Sequence, residues 1–348
     1  MGQKVAFTYN LKRKVEEGLP DDYYSEFDSK ETIEAIANGL RSRGNEVFLV
    51  EADKGLLNWL QSNKIDIVFN IAEGINGESR EAQVPAILDF LGVPYTGSGV
   101  LALSASLDKA FTKKIFEQAG IPTPRYKLIE EPAEISDEGL RYPLIVKPNR
   151  EGSGKGITIT SVVRNRAELE KEVCKTYKTY RQEILVEEFI EGRELTVGII
   201  GNSPPAVLPI LEIDFSNCRA SGEFFYTWKV KEFEKEVEDS KGLSPIWHCP
   251  ARLTKQEEAL VGDTAIKAFN ALGCVDLSRV DIILDKEGVP YVLEINPLPG
   301  LDPIDSNFPF IAKCAGLDYP ALMNRILDVA IERHTKNGSL VLHERSLR

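Results

Sequence analysis

Strand-like and helix-like segments alternate through the first third of this chain. Strands separated by helices at this spacing favour a parallel, doubly wound sheet, which is an α/β arrangement. The segments that predict it are the strands Lys4–Thr8, Glu46–Val50 and Ile65–Asn70, the helices Ser29–Arg43 and Glu81–Leu91, and a short return at Pro94–Tyr95. Open sheets of this kind bind ligands beyond the carboxyl ends of their strands, here Thr8 and Asn70. The long polar stretch 10–28 after the first strand is unusual for a loop unless it has a function.

Short strands dominate the rest of the chain, which predicts an α+β organisation with antiparallel sheets. The predicted strands are 143–148, 157–162, 184–190, 195–200 and 206–213, and the predicted helices are Leu107–Ala119, Ala167–Tyr177, Leu253–Leu272 and Tyr319–Arg333. We place region boundaries near residues 108 and 195, and a polar tail follows from residue 335. The role of that tail cannot be read from its sequence.

The charge balance excludes several classes of protein. The chain has 42 Lys plus Arg against 54 Asp plus Glu, a net charge of −12, and 43% of its 348 residues are hydrophobic. This composition is typical of a globular protein and argues against broad binding to nucleic acids or anionic membranes. The five cysteines form no C-x-x-C pair, and no apolar run is long enough to span a membrane. We therefore expect a cytoplasmic protein.

The segment 279–300, RVDIILDKEGVPYVLEINPLPG, predicts a β-hairpin. Residues two apart on a strand share a face, so Arg279 and Asp281 project together, as do Glu294 and Asn296. Pairing Leu284 with Val289 predicts that Arg279 roughly opposes Glu294. The residues left for a core are Val280, Ile282, Leu293 and Ile295. Two carboxylates and an amide oxygen on one face suit Mg²⁺, although a solvated face with an Arg–Glu pair is an equally simple interpretation.

Two further segments point to a nucleotide. Residues 144–160, LIVKPNREGSGKGITIT, place glycines between two predicted strands, which favours a lid loop whose backbone N–H groups bind phosphates, with Lys147 close by. The segment does not match the P-loop pattern, and an ordinary turn is the alternative. In ILVEEFI, Glu187 and Glu188 lie on opposite strand faces, so at least one carboxylate needs a partner unless both are solvated at an edge. A nucleobase amine or a ribose hydroxyl could be that partner.

Taken in order, these motifs resemble the ATP-grasp ligases, specifically the D-alanine–D-alanine ligase group. The matching runs are PYTGSG at 94–99, LDK ending at Lys109, VKP, REGSGKG, VEEFIEGRE, SRVD and LEINPLPG. They cover about residues 65 to 300. The resemblance implies three regions: an N-terminal α/β domain (1–108), a central lid domain (109–195) and a C-terminal catalytic domain (196–334), with a tail at 335–348. It also implies a homodimer.

The resemblance implies an ATP-dependent carboxylate–amine ligase that forms an acyl phosphate, and it gives each matching residue a role. The residues implied in ATP binding are Lys109, Lys147, Ser153, Gly154, Glu187, Glu188, Phe189, Ile190, Glu194 and Lys231. Two Mg²⁺ ions, or Mn²⁺ in their place, would be held by Asp281, Glu294 and Asn296. The implied catalytic groups are Arg279 and the backbone N–H of Gly300, which form an oxyanion hole, and Ser153. Phosphoryl transfer depends on such positioning and charge neutralisation more than on a base.

The sequence departs from the group's pattern around the substrates. Glu73 replaces the usual histidine before Gly74, Glu232 replaces a tyrosine, Lys155 replaces a small or apolar lid residue, and the run after Gly300 differs. The candidate substrate residues are Glu26, Asp28, Glu73, Asp302, Asp305 and Ser306. The added acids Glu73, Asp302 and Asp305 suggest an amino- or guanidino-bearing second substrate in place of D-alanine, and Glu26 and Asp28 are the candidates for holding the amine of the first substrate. Each of these acids could equally be an ordinary solvated loop residue. Two alternatives stay open: a ligase for a non-amino-acid carboxylate, and a nucleotide-binding regulatory protein without catalysis.

Overall fold

The N-terminal sheet is parallel and is covered by helices on both faces. The computed structural model describes residues 2–221, 225, 227 and 245–338, and its first sheet has the strand order β2-β1-β3. Its strands are β1 (Lys4–Tyr9), β2 (Glu46–Glu51) and β3 (Ile67–Asn70), and its helices are α1 (Lys30–Arg41), α2 (Leu56–Ser62) and α3 (Gln83–Leu91). Val5 and Phe7 pack against α1, while Ala6 packs against α2 and α3. This alternation along β1 produces the predicted doubly wound arrangement.

The middle sheet is antiparallel, with the order β4-β7-β5-β6. Its elements are β4 (Tyr126–Ile129), β5 (Leu144–Pro148), β6 (Val162–Val163), β7 (Ile184–Glu188) and helix α6 (Arg166–Tyr180). Val146 and Val186 point toward α6 and are fully buried. Because side chains alternate along a strand, Lys147 and Glu187 point to the opposite face. This polar face forms one wall of a cleft.

The third sheet is antiparallel, with the order β11-β10-β8-β12-β13, and β9 pairs with β8. Its strands are β8 (Gly192–Ile200), β9 (Ala206–Val207), β10 (Leu211–Asp214), β11 (Ile246–His248), β12 (Leu277–Asp285) and β13 (Pro290–Asn296). The helices around it are α4 (Val100–Leu107), α5 (Lys109–Gln118), α7 (Lys255–Ala271), α8 (Asn307–Cys314) and α9 (Tyr319–Lys336). Short 3-10 helices lie at Arg80–Ala82, Pro132–Glu134, Ile159–Ser161 and Phe215–Ser221. In the described part of the chain, no helix has both the length and the apolar character needed to cross a membrane.

The hydrophobic cores connect residues that are far apart in the chain. Helix α9 packs on α1, and Leu322 and Ile326 share one core with Val5 and Phe7 of the first sheet. Phe116 of α5 joins the core beneath the third sheet. A helix from the predicted C-terminal region thus completes the N-terminal core, and a helix from the predicted central region packs with the C-terminal sheet.

Three sequence predictions about local structure are wrong. The run 157–161 does not form a strand, because Thr158 and Ser161 cap each other across the 3-10 turn Ile159–Ser161, and strand β6 begins only at Val162. The predicted strand 206–213 is divided into β9 and β10. In the hairpin, a bulge between Asp281 and Ile282 changes the register.

The bulge determines which hairpin residues face the cleft. Arg279 pairs with Asn296, and Asp281 pairs with Glu294, so Arg279 does not oppose Glu294 as predicted. A bulge adds one residue to one strand and shifts the alternation that follows it. Val292 therefore joins the core, and Leu293 lines the cleft rather than the core.

Candidate active site

The cleft between the middle and third sheets holds a cavity of about 490 Å³. Of the predicted nucleotide, metal and catalytic residues, it is lined by Lys109, Lys147, Gly154, Glu187, Glu188, Phe189, Ile190, Glu194, Arg279, Asp281 and Glu294. Apolar side chains including Ile145, Phe189 and Leu293 form part of its wall. A cavity with an apolar wall and convergent charged groups can enclose a planar ring next to an anionic group.

A buried charge cluster contributes Glu187 and Lys147 to the wall of this cavity. Glu187 is 2% exposed, and its carboxylate contacts the ammonium groups of Lys147 and Lys113, the latter at 2.8 Å. Burial raises the pKa of Glu187, but the two lysines outweigh burial and hold it below its usual range. Lys113 also donates to Thr123 Oγ1 at 2.8 Å. Glu187 is therefore a fixed anion.

The backbone after Glu187 offers fewer free donors than predicted. The N–H of Glu188 donates to Arg125 O at 2.9 Å, and the N–H of Phe189 donates to Pro143 O at 3.0 Å. No protein acceptor in the described part of the chain takes the N–H of Ile190. The Glu188 carboxylate accepts from the backbone N–H of Arg141 at 2.9 Å and pairs with its guanidinium at 3.1 Å. Of the backbone N–H groups of the three predicted residues, Glu188, Phe189 and Ile190, only that of Ile190 remains available to donate to a nucleobase.

The hairpin carries the predicted metal ligands. The guanidinium of Arg279 contacts both carboxylate oxygens of Asp281 at 2.8–3.1 Å, and Thr196 Oγ1 donates to the same carboxylate at 3.0 Å. Lys109 Nζ lies 3.5 Å from Glu294 Oε2. Among the described residues, no group of three or more His, Cys, Asp or Glu side chains could hold a metal ion. The predicted set has two carboxylates and the Asn296 amide, and these donors fit Mg²⁺, which also takes phosphate oxygens.

A second, smaller cavity of about 200 Å³ meets the first at Arg279, which lines both. Of the predicted residues, it is lined by Glu26, Asp28, Glu73, Ser153, Arg279, Asn296, Gly300, Asp302, Asp305 and Ser306. Ser153 and Asn296 therefore face this cavity rather than the larger one. At Gly300, a Cβ would lie 2.8 Å from Ser306 Oγ, so a side chain there would disturb the wall. Lys231 and Glu232 lie outside the described residues.

A buried ionic network joins the glycine-rich loop to the N-terminal domain. Glu26 accepts from Gly152 N at 2.7 Å, and it pairs with Arg80 at 2.9 Å and Lys155 at 3.2 Å. Both cations also contact Glu151. Although burial raises the pKa of Glu26, the charges of Arg80 and Lys155 lower it overall. The carboxylate of Glu26 is thus engaged in holding the glycine-rich loop.

The polar stretch 10–28 also contacts the glycine-rich loop through Asp22. A separate acid, Asp302, which was predicted to bind substrate, is held by its own loop. Asp22 accepts from Gly156 N at 3.0 Å, at the far end of the same glycine-rich loop. Asp302 accepts from the backbone N–H groups of Ile304 and Asp305 at 2.9 Å, and from the hydroxyl of Thr32. Asp302 therefore shapes the loop after Gly300.

Sequence reasoning missed several charged residues of the site. Three charged side chains that the sequence does not mark as site residues are buried or nearly so: Arg80, Glu81 and Lys113. Lys113 had a usable signal, because it follows Lys109 by four residues and so shares its helix face. Arg80 and Glu81 lie in the 3-10 helix Arg80–Ala82, which is too short for any periodicity to mark a residue as buried.

The comparisons with known proteins agree with this geometry. The sequence model of a family described as "D-ala D-ala ligase C-terminus" matches residues 115–328. The D-alanine–D-alanine ligase of Desulforamulus reducens is 34% identical over 313 residues, which cover 86% of this chain and 93% of that one. An uncharacterized protein of Sinorhizobium fredii, y4sG, is 37% identical over 315 residues, covering 88% of this chain and 89% of its own.

Solved structures show the same fold. The D-alanine–D-alanine ligase of Bacillus anthracis complexed with ATP superposes with a TM-score of 0.75 at 23% identity, covering 97% of this chain and 100% of that one. The VanG D-Ala:D-Ser ligase of Enterococcus faecalis gives a TM-score of 0.72 at 23% identity, covering 95% and 100%. The solved structures thus show the ATP-grasp fold, and the family model and the 34% identical ligase establish that the chain belongs to the D-alanine–D-alanine ligase family of ATP-dependent carbon–nitrogen ligases.

Proposed function

We propose that this protein joins two amino acids, or an amino acid and a small amine or peptide, in an ATP-dependent reaction that releases ADP and phosphate. The observation that carries the proposal is the position of Arg279 in the walls of both cavities. The larger cavity suits a nucleotide, and the smaller one suits an amino-acid-sized substrate. A substrate carboxylate next to Arg279 would therefore lie beside the terminal phosphate.

The proposed chemistry has two steps. A substrate carboxylate oxygen attacks the γ-phosphorus, ADP leaves, and an acyl phosphate forms. The amine of the second substrate then attacks the acyl carbon, loses a proton, and displaces phosphate through a tetrahedral intermediate. Arg279 and the backbone N–H of Gly300 would stabilise the oxyanion, since fixed donors aimed at a developing charge lower the barrier most. Ser153 faces the same cavity and would help position the first substrate.

The larger cavity supplies groups for each part of the nucleotide. Lys109, Lys147 and the backbone at Gly154 would bind phosphates. Glu187 would accept from the adenine amino group beside the N–H of Ile190, and Glu194 would bind the ribose. Lys231 is proposed for the triphosphate on the family resemblance alone.

Metal binding is proposed at the hairpin. Asp281, Glu294 and Asn296 would hold two Mg²⁺ ions, with Mn²⁺ as a substitute. The ions would neutralise phosphate charge during transfer. Because Arg279 and Lys109 already pair with these carboxylates, the protein offers a charge-compensated site in the absence of metal.

The family also supports proposals beyond the site. We propose a cytoplasmic homodimer that binds neither nucleic acid nor membrane, with domains at 1–108, 109–195 and 196–334. Size-exclusion chromatography coupled to light scattering measures the molar mass in solution and tests the dimer directly.

A panel experiment tests the function. Purified protein, ATP and Mg²⁺ are combined with pairs of amino acids of both chiralities, and ADP release and product mass are recorded. Amino-acid-dependent ADP release with a mass equal to the two substrates minus water supports the proposal. Products built from another carboxylate would favour the alternative ligase. ATP binding without ADP release under any condition would favour a regulatory protein.

A further inference from the structure

The wall of the smaller cavity is strongly acidic. Six acids and two bases line it: Glu26, Asp28, Glu73, Glu81, Asp302 and Asp305 against Lys12 and Arg279. Most of these acids have partners inside the protein. Glu26 is engaged by Arg80 and Lys155, and Asp302 by its own loop and Thr32. The question is therefore which carboxylates remain for a ligand.

Two carboxylates in this wall, those of Glu73 and Glu81, make no hydrogen bond or close ion pair with a described residue, although Arg80 acts on both electrostatically. Glu81 is only 7% exposed, yet it makes no hydrogen bond or ion pair with any described residue. Glu73 is partly buried and makes none either. Both carboxylates line the cavity without a hydrogen bond from a described residue, so they are available to the charged group of a bound molecule.

The backbone brings these two acids together by a close approach. Gly74 adopts a φ of +81°, and a Cβ at this position would lie 2.1 Å from Arg80 O. The backbone at Gly74, directly after Glu73, therefore lies against the backbone of Arg80, directly before Glu81. Asn10 Oδ1 fixes the turn by accepting from Gly74 N at 2.9 Å. A residue with a side chain at position 74 could not hold this arrangement.

The electrostatic environment favours a cation beside both acids. Burial and the charges of Glu81, Glu26 and Asp28 raise the pKa of Glu73 well above its usual range, against the opposing effect of Arg80. Burial, Glu26 and Glu294 raise the pKa of Glu81 to about 7, while Arg80 and Lys109 oppose the rise. Two acids that repel each other's charge are stabilised by a positive ligand placed between them.

We infer that the smaller cavity takes an amino acid whose side chain carries a second positive charge, an amine or a guanidinium, with Glu73 and Glu81 as its partners. Lys12 and Arg279 in the same wall provide positive charge for the α-carboxylate. The inference rests on the proposed amino-acid ligation and specifies its substrate class.

Binding measurements test the inference without requiring turnover. Titration calorimetry of the full chain, with Mg²⁺ and a non-hydrolysable ATP analogue, compares lysine with norleucine and arginine with citrulline, in both chiralities. We expect at least one cationic amino acid to bind about 30-fold more tightly than its neutral isostere, the effect of a buried charge pair. Equal binding of each isosteric pair would overturn the inference.

Matched variants identify the residues responsible. Glu73→Gln with Glu81→Gln should abolish the 30-fold preference while leaving binding of the neutral isostere equal or tighter, a result that misfolding cannot produce. Glu17→Gln removes the same charge from an exposed site and should keep the preference. A preference that survives in the double variant would remove both acids from substrate recognition.

The outcomes separate this inference from the proposed function. Selective binding of cationic amino acids without amino-acid-dependent ADP release would support the cation site and reject ligation. Ligation of neutral amino acids, with equal rates in the wild type and the double variant, would support ligation and reject the cation site.

Discussion

Replacing Lys113 by methionine tests how the buried cluster holds Glu187. The change keeps the length of the side chain and removes the ammonium that lies 2.8 Å from Glu187 Oε2. Both side chains are at most 2% exposed, so water cannot replace the lost charge. Breaking a buried pair completely costs about 3–5 kcal/mol, and because Lys147 remains we expect a loss of about 2 kcal/mol in the free energy of unfolding.

Thermal melts followed by calorimetry provide the assay. At about 2 °C per kcal/mol for a long chain, Tm should fall by about 4 °C at neutral pH. Lys114→Met removes the same charge from the exposed residue next in the helix and should leave Tm within about 1 °C. The affinity for ATP should also fall in Lys113→Met, since Glu187 loses one of its two fixed partners.

The effect of Lys113→Met on Tm should also depend on pH, in a direction set by the pKa of Glu187. The pKa of Glu187 is depressed in the folded protein, so its contribution to stability is present above the pKa of the unfolded chain and is lost as pH falls through the folded value. Without Lys113, burial dominates and that pKa rises. The difference in Tm between variant and wild type should therefore be largest at neutral pH and shrink on acidification. An unchanged or higher Tm for Lys113→Met at neutral pH would refute the reasoning.

Three other predictions concern activity. Arg279→Ala should lower kcat by about 10²–10³, as for one lost oxyanion donor, with Arg279→Lys intermediate; initial rates of ADP release check this, and an unaffected rate removes Arg279 from the mechanism. Lys155→Met removes the ion pairs of Lys155 with Glu26 and Glu151, and it should raise the KM for ATP about tenfold, equivalent to about 1.4 kcal/mol. Limited proteolysis within residues 150–156 should become faster. No change in either measurement would mean that these ion pairs do not hold the glycine-rich loop. Because the pKa of Glu81 is raised to about 7, the KM for a cationic amino acid should fall as pH rises through that value; a profile that Glu81→Gln leaves unchanged would assign the titration to another group.

Periodicity predicted most of the architecture because it reports burial directly. Strands such as β1 and helices such as α1 lie within one or two residues of their predicted bounds. Helix α4, with the sequence VLALSASL, escaped prediction because it is apolar on nearly all sides and has no polar face to reveal its period. The bulge after Asp281 escaped because register depends on the partner strand.

The site was predictable where several functional residues lie in one segment. Asp281 and Glu294 belong to a hairpin whose alternation is visible in the sequence, and the structure brings them opposite each other. Glu26 and Arg80 are 54 residues apart and meet only through the tertiary fold. Nothing local distinguishes their charges from those of exposed loop residues, so such pairs cannot be read from one sequence.

The packing of α9 on α1 has a consequence for how the protein is synthesised. Val5 and Phe7 are fully buried in a core that Leu322 and Ile326 help to complete. The ribosome makes β1 and α1 early, yet α9, which completes the core on this face of the sheet, is made more than 300 residues later. At about 5–20 residues per second, that face waits for roughly 15–60 s. The nascent chain therefore exposes an apolar surface that a chaperone can bind until synthesis is almost finished.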